Sequence, residues 1–128
     1  MIHELYTDGD AYRISWAIRT GQKDVMQHRK QAGTYRGVVS NIQARFMALH
    51  VGLFWGVGVF AIKKGDHIKM MIDNTQMIPY LVDGTDDRFI GHRIRFVNLL
   101  IEQKELTADI SSIMPSENIA LLQQRAGE

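Results

Sequence analysis

The chain has 128 residues, 45% of them hydrophobic, with fifteen lysines and arginines against fourteen acids. That length and apolar content support one domain with a real core, spanning residues 1–128, and leave no room for a second. The near-cancelling charge decides nothing about a nucleic-acid partner, while the absence of cysteine excludes disulfides, thiolate metal sites and redox chemistry at sulfur.

Met1-Ile2-His3-Glu4 lacks the basic and apolar regions of a secretory signal. The longest apolar stretch, Val51 to Ile62, is broken by Gly52, Gly56 and Gly58 and falls short of the roughly 20 residues a bilayer needs. The expectation is an intracellular protein, cytoplasmic or nuclear, neither secreted nor in a membrane.

In chain order, Ile2 to Thr7 reads as a first strand, and Gly9-Asp10 supplies a turn. Tyr12, Ile14, Trp16 and Ile18 then alternate with Arg13, Ser15, Ala17 and Arg19, the period of a strand with one buried face. A third, more exposed strand is expected from Asp24 to Gln31. From Ser40, a plausible N-cap, the period changes: Ile42, Phe46, Leu49 and Leu53 mark one face of a helix. His67 to Asp73 is a nearly continuous apolar run, expected to be a central strand buried on both faces. A short helix interrupted by Pro79 is predicted over Asn74 to Val82, and a long one over Arg88 to Lys104, with Arg88, Arg93 and Arg95 in its first half. Leu106, Ala108 and Ile110 give a fifth strand, and Glu117 to Arg125 a terminal helix after Pro115. The order is βββαβααβα, a mixed five-stranded sheet flanked by helices in an α/β fold.

Asp8 and Asp73 each close an apolar strand, which is how a sheet can hold two carboxylates side by side for a divalent cation. The intervening helix, where a third carboxylate is expected, carries Arg45. Taken singly, each aspartate has a plainer reading as turn or cap chemistry. Charge is also unevenly spread: no Asp or Glu occurs from Val25 to Gly65, whereas Arg29, Lys30, Arg36, Arg45, Lys63 and Lys64 do. The histidines His3, His28, His50, His67 and His92 show no zinc spacing and are expected to be solvated or at the core edge. Neither a nucleophile elbow nor a glycine-rich phosphate loop is present. The stretch Gly52 to Phe60 is read either as core beneath the sheet or as a subunit contact anchored by Trp55 and Phe60.

Leu5-Tyr6-Thr7-Asp8-Gly9, Ser40-Asn41 with Phe46-Met47-Ala48-Leu49, Ile72-Asp73-Asn74-Thr75 and Ile113-Met114-Pro115-Ser116-Glu117-Asn118-Ile119-Ala120 together resemble the ribonuclease H-like family over nearly the whole chain. The last motif resembles domains attached to reverse transcriptases, particularly those of gypsy-type and tyrosine-recombinase retrotransposons. The resemblance implies cleavage of the RNA strand of an RNA/DNA hybrid by two divalent metals on an Asp, Glu, Asp, Asp quartet. Asp8 matches the first position and Asp73 the third; Arg45 stands in place of the helix Glu, and Leu121 or Leu122 in place of the last Asp. Glu4, Asp10, Asp109 and Glu117 are the only nearby substitutes, and none has the helical placement of the lost Glu.

Arg45 beside a divalent ion is unfavourable by several kcal/mol, about twice the ~4 kcal/mol of two unit charges at ~4 Å, so it is expected to act as a counter-ion between Asp8 and Asp73. The reading is therefore a catalytically disabled domain with no metal and no cofactor, binding RNA or an RNA/DNA hybrid through Arg29, Lys30, Arg36, Asn41, Lys63 and Lys64. Two alternatives stay open. One is a protein–protein or homo-oligomeric assembly module using Trp55 and Phe60; the other is an active ribonuclease H with an altered Mg or Mn site.

Overall fold

The structure, a computed structural model, describes residues 1–121. Strands β1 (Ile2–Gly9), β2 (Arg13–Thr20) and β3 (Lys23–Lys30) form an antiparallel meander, followed by helix α1 (Asn41–Gly58) and strand β4 (His67–Ile72). Helices α2 (Met77–Asp83) and α3 (Arg88–Gln103), strand β5 (Thr107–Ser112) and a 3-10 turn at Pro115–Glu117 complete the order, with residues 119–121 helical. Leu122 and the remainder of the predicted terminal helix lie outside the described residues. The five strands are ordered β3-β2-β1-β4-β5, with β4 parallel to both β1 and β5.

The expected mixed sheet is therefore the observed one. Alternation divides its two faces. Leu5, Ile14, Trp16, Ile18, Ile68, Met70 and Ile72 point into the main core beneath α1 and α3, which also takes in Phe46, Leu49, Leu53, Ile90 and Val97. The opposite face carries a smaller cluster of Tyr6, Ala17 and Ala120, with Met71, Ile113 and Ile119 against it. Strand β4 consequently has one fully buried face and one half-covered face, and β1 rather than β4 is the middle strand. The apolar run at Met70-Met71-Ile72 arises because the segment after β5 covers the second face only partly.

Ser40 caps α1 as predicted. Its hydroxyl accepts from the Gln43 amide at 3.1 Å and the Gln43 side chain accepts from the Ser40 amide at 2.9 Å, an arrangement whose loss typically costs ~1 kcal/mol. Pro79 does not interrupt α2. It stands in the first turn, where its missing N–H has no intrahelical partner to lose.

Two close approaches fix α1 on the sheet. A Cβ on Gly52 would fall 2.8 Å from Cβ of Trp16, and one on Gly9 would fall 2.8 Å from the Ala44 carbonyl carbon and oxygen. Helix and sheet touch backbone to backbone at the end of β1, and this brings Arg45 to Asp8.

Candidate functional site

Because β1 and β4 are parallel, Asp8 and Asp73 emerge at the same edge of the sheet, with Arg45 reaching them from the second turn of α1. Its Nη2 lies 2.8 Å from Oδ1 of Asp8 and its Nη1 2.5 Å from Oδ1 of Asp73, so one guanidinium bridges both carboxylates. The Arg45 side chain is 15% exposed and the two carboxylates 4%. Pairing is what makes such burial tolerable, since an unpaired carboxylate there would be strongly destabilising.

The pairing is incomplete. Oδ1 of Asp8 also accepts from the Gly9 amide at 2.9 Å, yet Oδ2 is buried with no hydrogen-bond partner among the described residues. Burial pushes the Asp8 carboxyl above the usual aspartate range, although Arg45 and the Gly9 amide pull the other way; Asp73 and Asp10 add to the rise. Asp8 thus binds its proton more tightly than an exposed aspartate does.

The other carboxylates near these motifs have local tasks. Oδ1 of Asp10 accepts from the Tyr12 and Arg13 amides and holds the β1–β2 turn. Oε1 of Glu117 accepts from the Met114 amide, Asp109 pairs with His67 at 3.0 Å, and Glu4 accepts from the Tyr6 hydroxyl. Among the described residues, no group of three or more His, Cys, Asp or Glu side chains could hold a metal ion. A pair of divalent ions needs several carboxylates to neutralise it; two carboxylates already bridged by a guanidinium do not fit that requirement.

Leu121 lies in the helical residues 119–121, anchored by Asn118, a residue that sequence reasoning did not assign. Asn118 is fully buried. Its Nδ2 donates to the carbonyl of Thr7, the residue before Asp8, and its Oδ1 caps the amides of Ala120 and Leu121. The signal was an Asn preceding a short apolar run, which is N-cap chemistry.

The basic residues divide between two ends of the molecule. Arg29 and Lys30 close β3 opposite Ile14 and Arg13, at the same edge as Asp8 and Gly9. The loop carrying Arg36 is tied there by the Gly37 amide on the Ala11 carbonyl, and Asn41 opens α1 beside it. Lys63 and Lys64 lie at the other end. They follow α1, which is ~27 Å long, and precede β4; Lys64 pairs with Glu105 at 2.9 Å. The basic residues expected to serve one surface thus fall into two groups, Arg29, Lys30 and Arg36 with Asn41 at one edge and Lys63 with Lys64 at the other.

Of the expected contact pair, Phe60 is 76% exposed and takes a left-handed backbone with φ of 62°, whereas Trp55 is half-buried against Trp16, with ring centroids 6.1 Å apart. Phe54, one helical step away, is the exposed aromatic at 63%. His3 departs from the expected solvated or core-edge setting, whereas half-buried His50 keeps to it. His3 is 1% exposed, and His50 turns toward α3, where its Nδ1 accepts from Nη1 of Arg93 at 3.0 Å.

No helix among the described residues is long and apolar enough to cross a membrane. No family model matches the chain, and no curated protein matches it. Solved structures do. Ribonuclease H1 of the halophilic archaeon Halobacterium salinarum superposes with a TM-score of 0.69 at 15% identity, covering 97% of this chain and 99% of that one. The N-terminal ribonuclease H domain of a Mycobacterium tuberculosis protein gives 0.67 at 12% identity, over 96% and 95%. The foamy viral protease-reverse transcriptase in complex with an RNA/DNA hybrid gives 0.55 at 11% identity, over 88% of this chain and 15% of that one. Together with the strand order β3-β2-β1-β4-β5, these likenesses establish that the chain has the ribonuclease H-like fold.

Proposed function

We propose that this domain holds nucleic acid, in first place an RNA/DNA hybrid, along the sheet edge bearing Arg29, Lys30, Arg36 and Asn41, and that it does not cleave it. The observation carrying this reading is the Arg45 bridge. A cation occupies the space between Asp8 and Asp73 and uses their charge internally. Phosphate binding needs no such carboxylates; it needs positive side chains and free backbone amides, and the acid-free N-terminus of α1 adds the latter at the same edge. A structure of the same fold is known with a hybrid bound, which supports the choice of ligand. Retroelement descent belongs to this proposal too, resting on the run Ile113 to Ala120 and on the viral reverse transcriptase among the similar structures.

Fluorescence anisotropy with a labelled hybrid at two salt concentrations tests the reading, with cleavage scored in the same samples. Affinity should fall as salt rises, and Arg36→Glu should weaken it several-fold and flatten the salt slope. Lys63→Ala with Lys64→Ala, at the far end, should leave affinity unchanged. Salt-independent binding or hybrid cleavage in Mg²⁺ or Mn²⁺ would refute it.

A further inference from the structure

The groove between α1 and α3 is a second surface, on the side of these helices turned away from the sheet. Gln43 donates to the carboxylate of Asp87 at the start of α3, and His50 meets Arg93 and Phe96, so the two helices run side by side in the same direction. Helix α1 contains no acid at all, and α3 has none before Glu102 although it carries Arg88, Arg93 and Arg95. Of these arginines Arg93 lines the groove itself, while Arg95 lies on the outer face of α3 beside Phe96.

Arg93 is held in place by rings rather than by a carboxylate. Its guanidinium carbon lies 5.9 Å from the Tyr35 ring centroid and 5.3 Å from that of Phe89, and its polar contact among the described residues is His50. One donor of five is used, which leaves an ordered guanidinium able to engage an anion. Because Arg93 can only donate, His50 Nδ1 is the acceptor and the imidazole is neutral in this arrangement.

Beside this cation lies a planar platform. The His50 and Phe96 rings stack at 5.2 Å with 9° between their planes, and Phe96 remains 48% exposed. Phe96 lines three adjoining cavities of about 340, 360 and 250 Å³; Arg93 and His92 line the first, and Phe54 lines the second. Exposed rings in series with unneutralised arginines suit a partner that presents flat faces and regularly spaced negative charge.

We propose that the α1–α3 groove binds single-stranded nucleic acid, with bases stacking on Phe96 and Phe54 and phosphates meeting Arg93 and Arg95. A single strand is favoured over a duplex because only unpaired bases offer their faces to a side chain. This site adjoins the sheet-edge patch at Tyr35, the neighbour of Arg36, but its Phe96 and Phe54 end lies further along the helices and does not need a hybrid at the edge.

Anisotropy with labelled dT12 and rU12, read on the full chain, tests it. Wild type should bind with salt-dependent affinity. Phe96→Ala combined with Phe54→Ala should weaken binding at least tenfold, since stacking contributes ~1–3 kcal/mol per base, while hybrid affinity at the sheet edge stays within twofold. Arg93→Gln should lower the salt slope by about 0.7. Both phenylalanines are largely solvent-exposed, so that variant remains informative even where Arg93→Gln loses stability. Failure of wild type to bind either oligonucleotide, or unchanged affinity in the double phenylalanine variant, overturns the proposal. So does a sedimenting dimer that the same variant dissociates, which would make the groove a contact between copies. A loss of hybrid binding in Arg36→Glu with single-strand binding intact separates the two sites.

Discussion

The parallel strands β1 and β4 carry a buried carboxylate at each end of the pair, and the two ends are built in opposite ways. At the start, Asp66 accepts from the His3 ring at 2.7 Å, the Lys63 amide at 2.9 Å and the Met1 amino group at 3.1 Å, while the other His3 nitrogen meets the Thr20 hydroxyl at 2.6 Å. Burial alone would raise the Asp66 carboxyl, but these hydrogen bonds outweigh it and hold it down at about 2. At the far end, burial prevails over Arg45, so the Asp8 carboxyl rises, and one of its oxygens has no partner among the described residues. A buried carboxylate with its lone pairs satisfied is a structural pin. One whose burial outweighs its partners is held in the fold at an electrostatic cost.

The largest expected effect comes from removing the bridge. Arg45→Ala leaves Asp8 and Asp73 buried together without a cation and should cost ~3–5 kcal/mol at neutral pH, with partial recovery on acidification as a proton takes the place of the guanidinium. Urea denaturation at pH 7 and pH 5 would measure this. Loss of under 1 kcal/mol at both pH values would mean that the bridge contributes little and that the two ends are more alike than their geometry indicates.

Gly9→Ala comes next. Its new Cβ meets backbone of Ala44, which cannot swing aside, so α1 must shift at the end that carries Arg45. A loss of ~1–3 kcal/mol is expected, and the far end with Asp66 should be unaffected. Chemical shifts of His3 and Asp66 in the variant would check that the disturbance stays local.

Smaller effects should appear as opposite pH dependences. The lowered Asp66 carboxyl contributes stability that is present above its unfolded value of about 3.9 and lost as pH falls toward about 2. The raised Asp8 carboxyl has the reverse sign: the fold is favoured below the unfolded value, and that contribution disappears as pH rises through the elevated one. Thermal melts across pH 2 to 6 should therefore lose part of their acid slope in Asp66→Asn, while Asp8→Asn should remove an acid-side gain. If both substitutions changed the slope in the same direction, the contrast between the two ends would be wrong.

Much of this was legible from sequence for identifiable reasons. Alternation through Tyr12 to Arg19 and the three- and four-residue spacing from Ile42 to Leu53 mark elements whose buried faces have one period each. Asp8, Arg45 and Asp73 could be brought together because each belongs to a short motif at an element end. The misplacement of Lys63 and Lys64 has a simple cause. An 18-residue helix carries the chain from one edge of the sheet to the other, so residues flanking it in sequence lie at opposite poles. Which of Phe54 and Trp55 faces outward was not legible, because α1 is apolar on nearly all sides, which blurs the period that distinguishes inward from outward. Pairings such as His3 with Asp66 and His50 with Arg93 join residues 63 and 43 positions apart, and no local pattern encodes them.

The most direct test of the central claim is the Mn²⁺ dependence of Tm for wild type and Arg45→Glu at neutral pH. Wild type should show no Mn²⁺-dependent rise. Arg45→Glu should be less stable without metal, because three carboxylates then repel, and should regain stability as Mn²⁺ is added. A saturable Mn²⁺-dependent rise in wild type that Asp73→Asn abolishes would contradict it and return this edge of the sheet to metal chemistry.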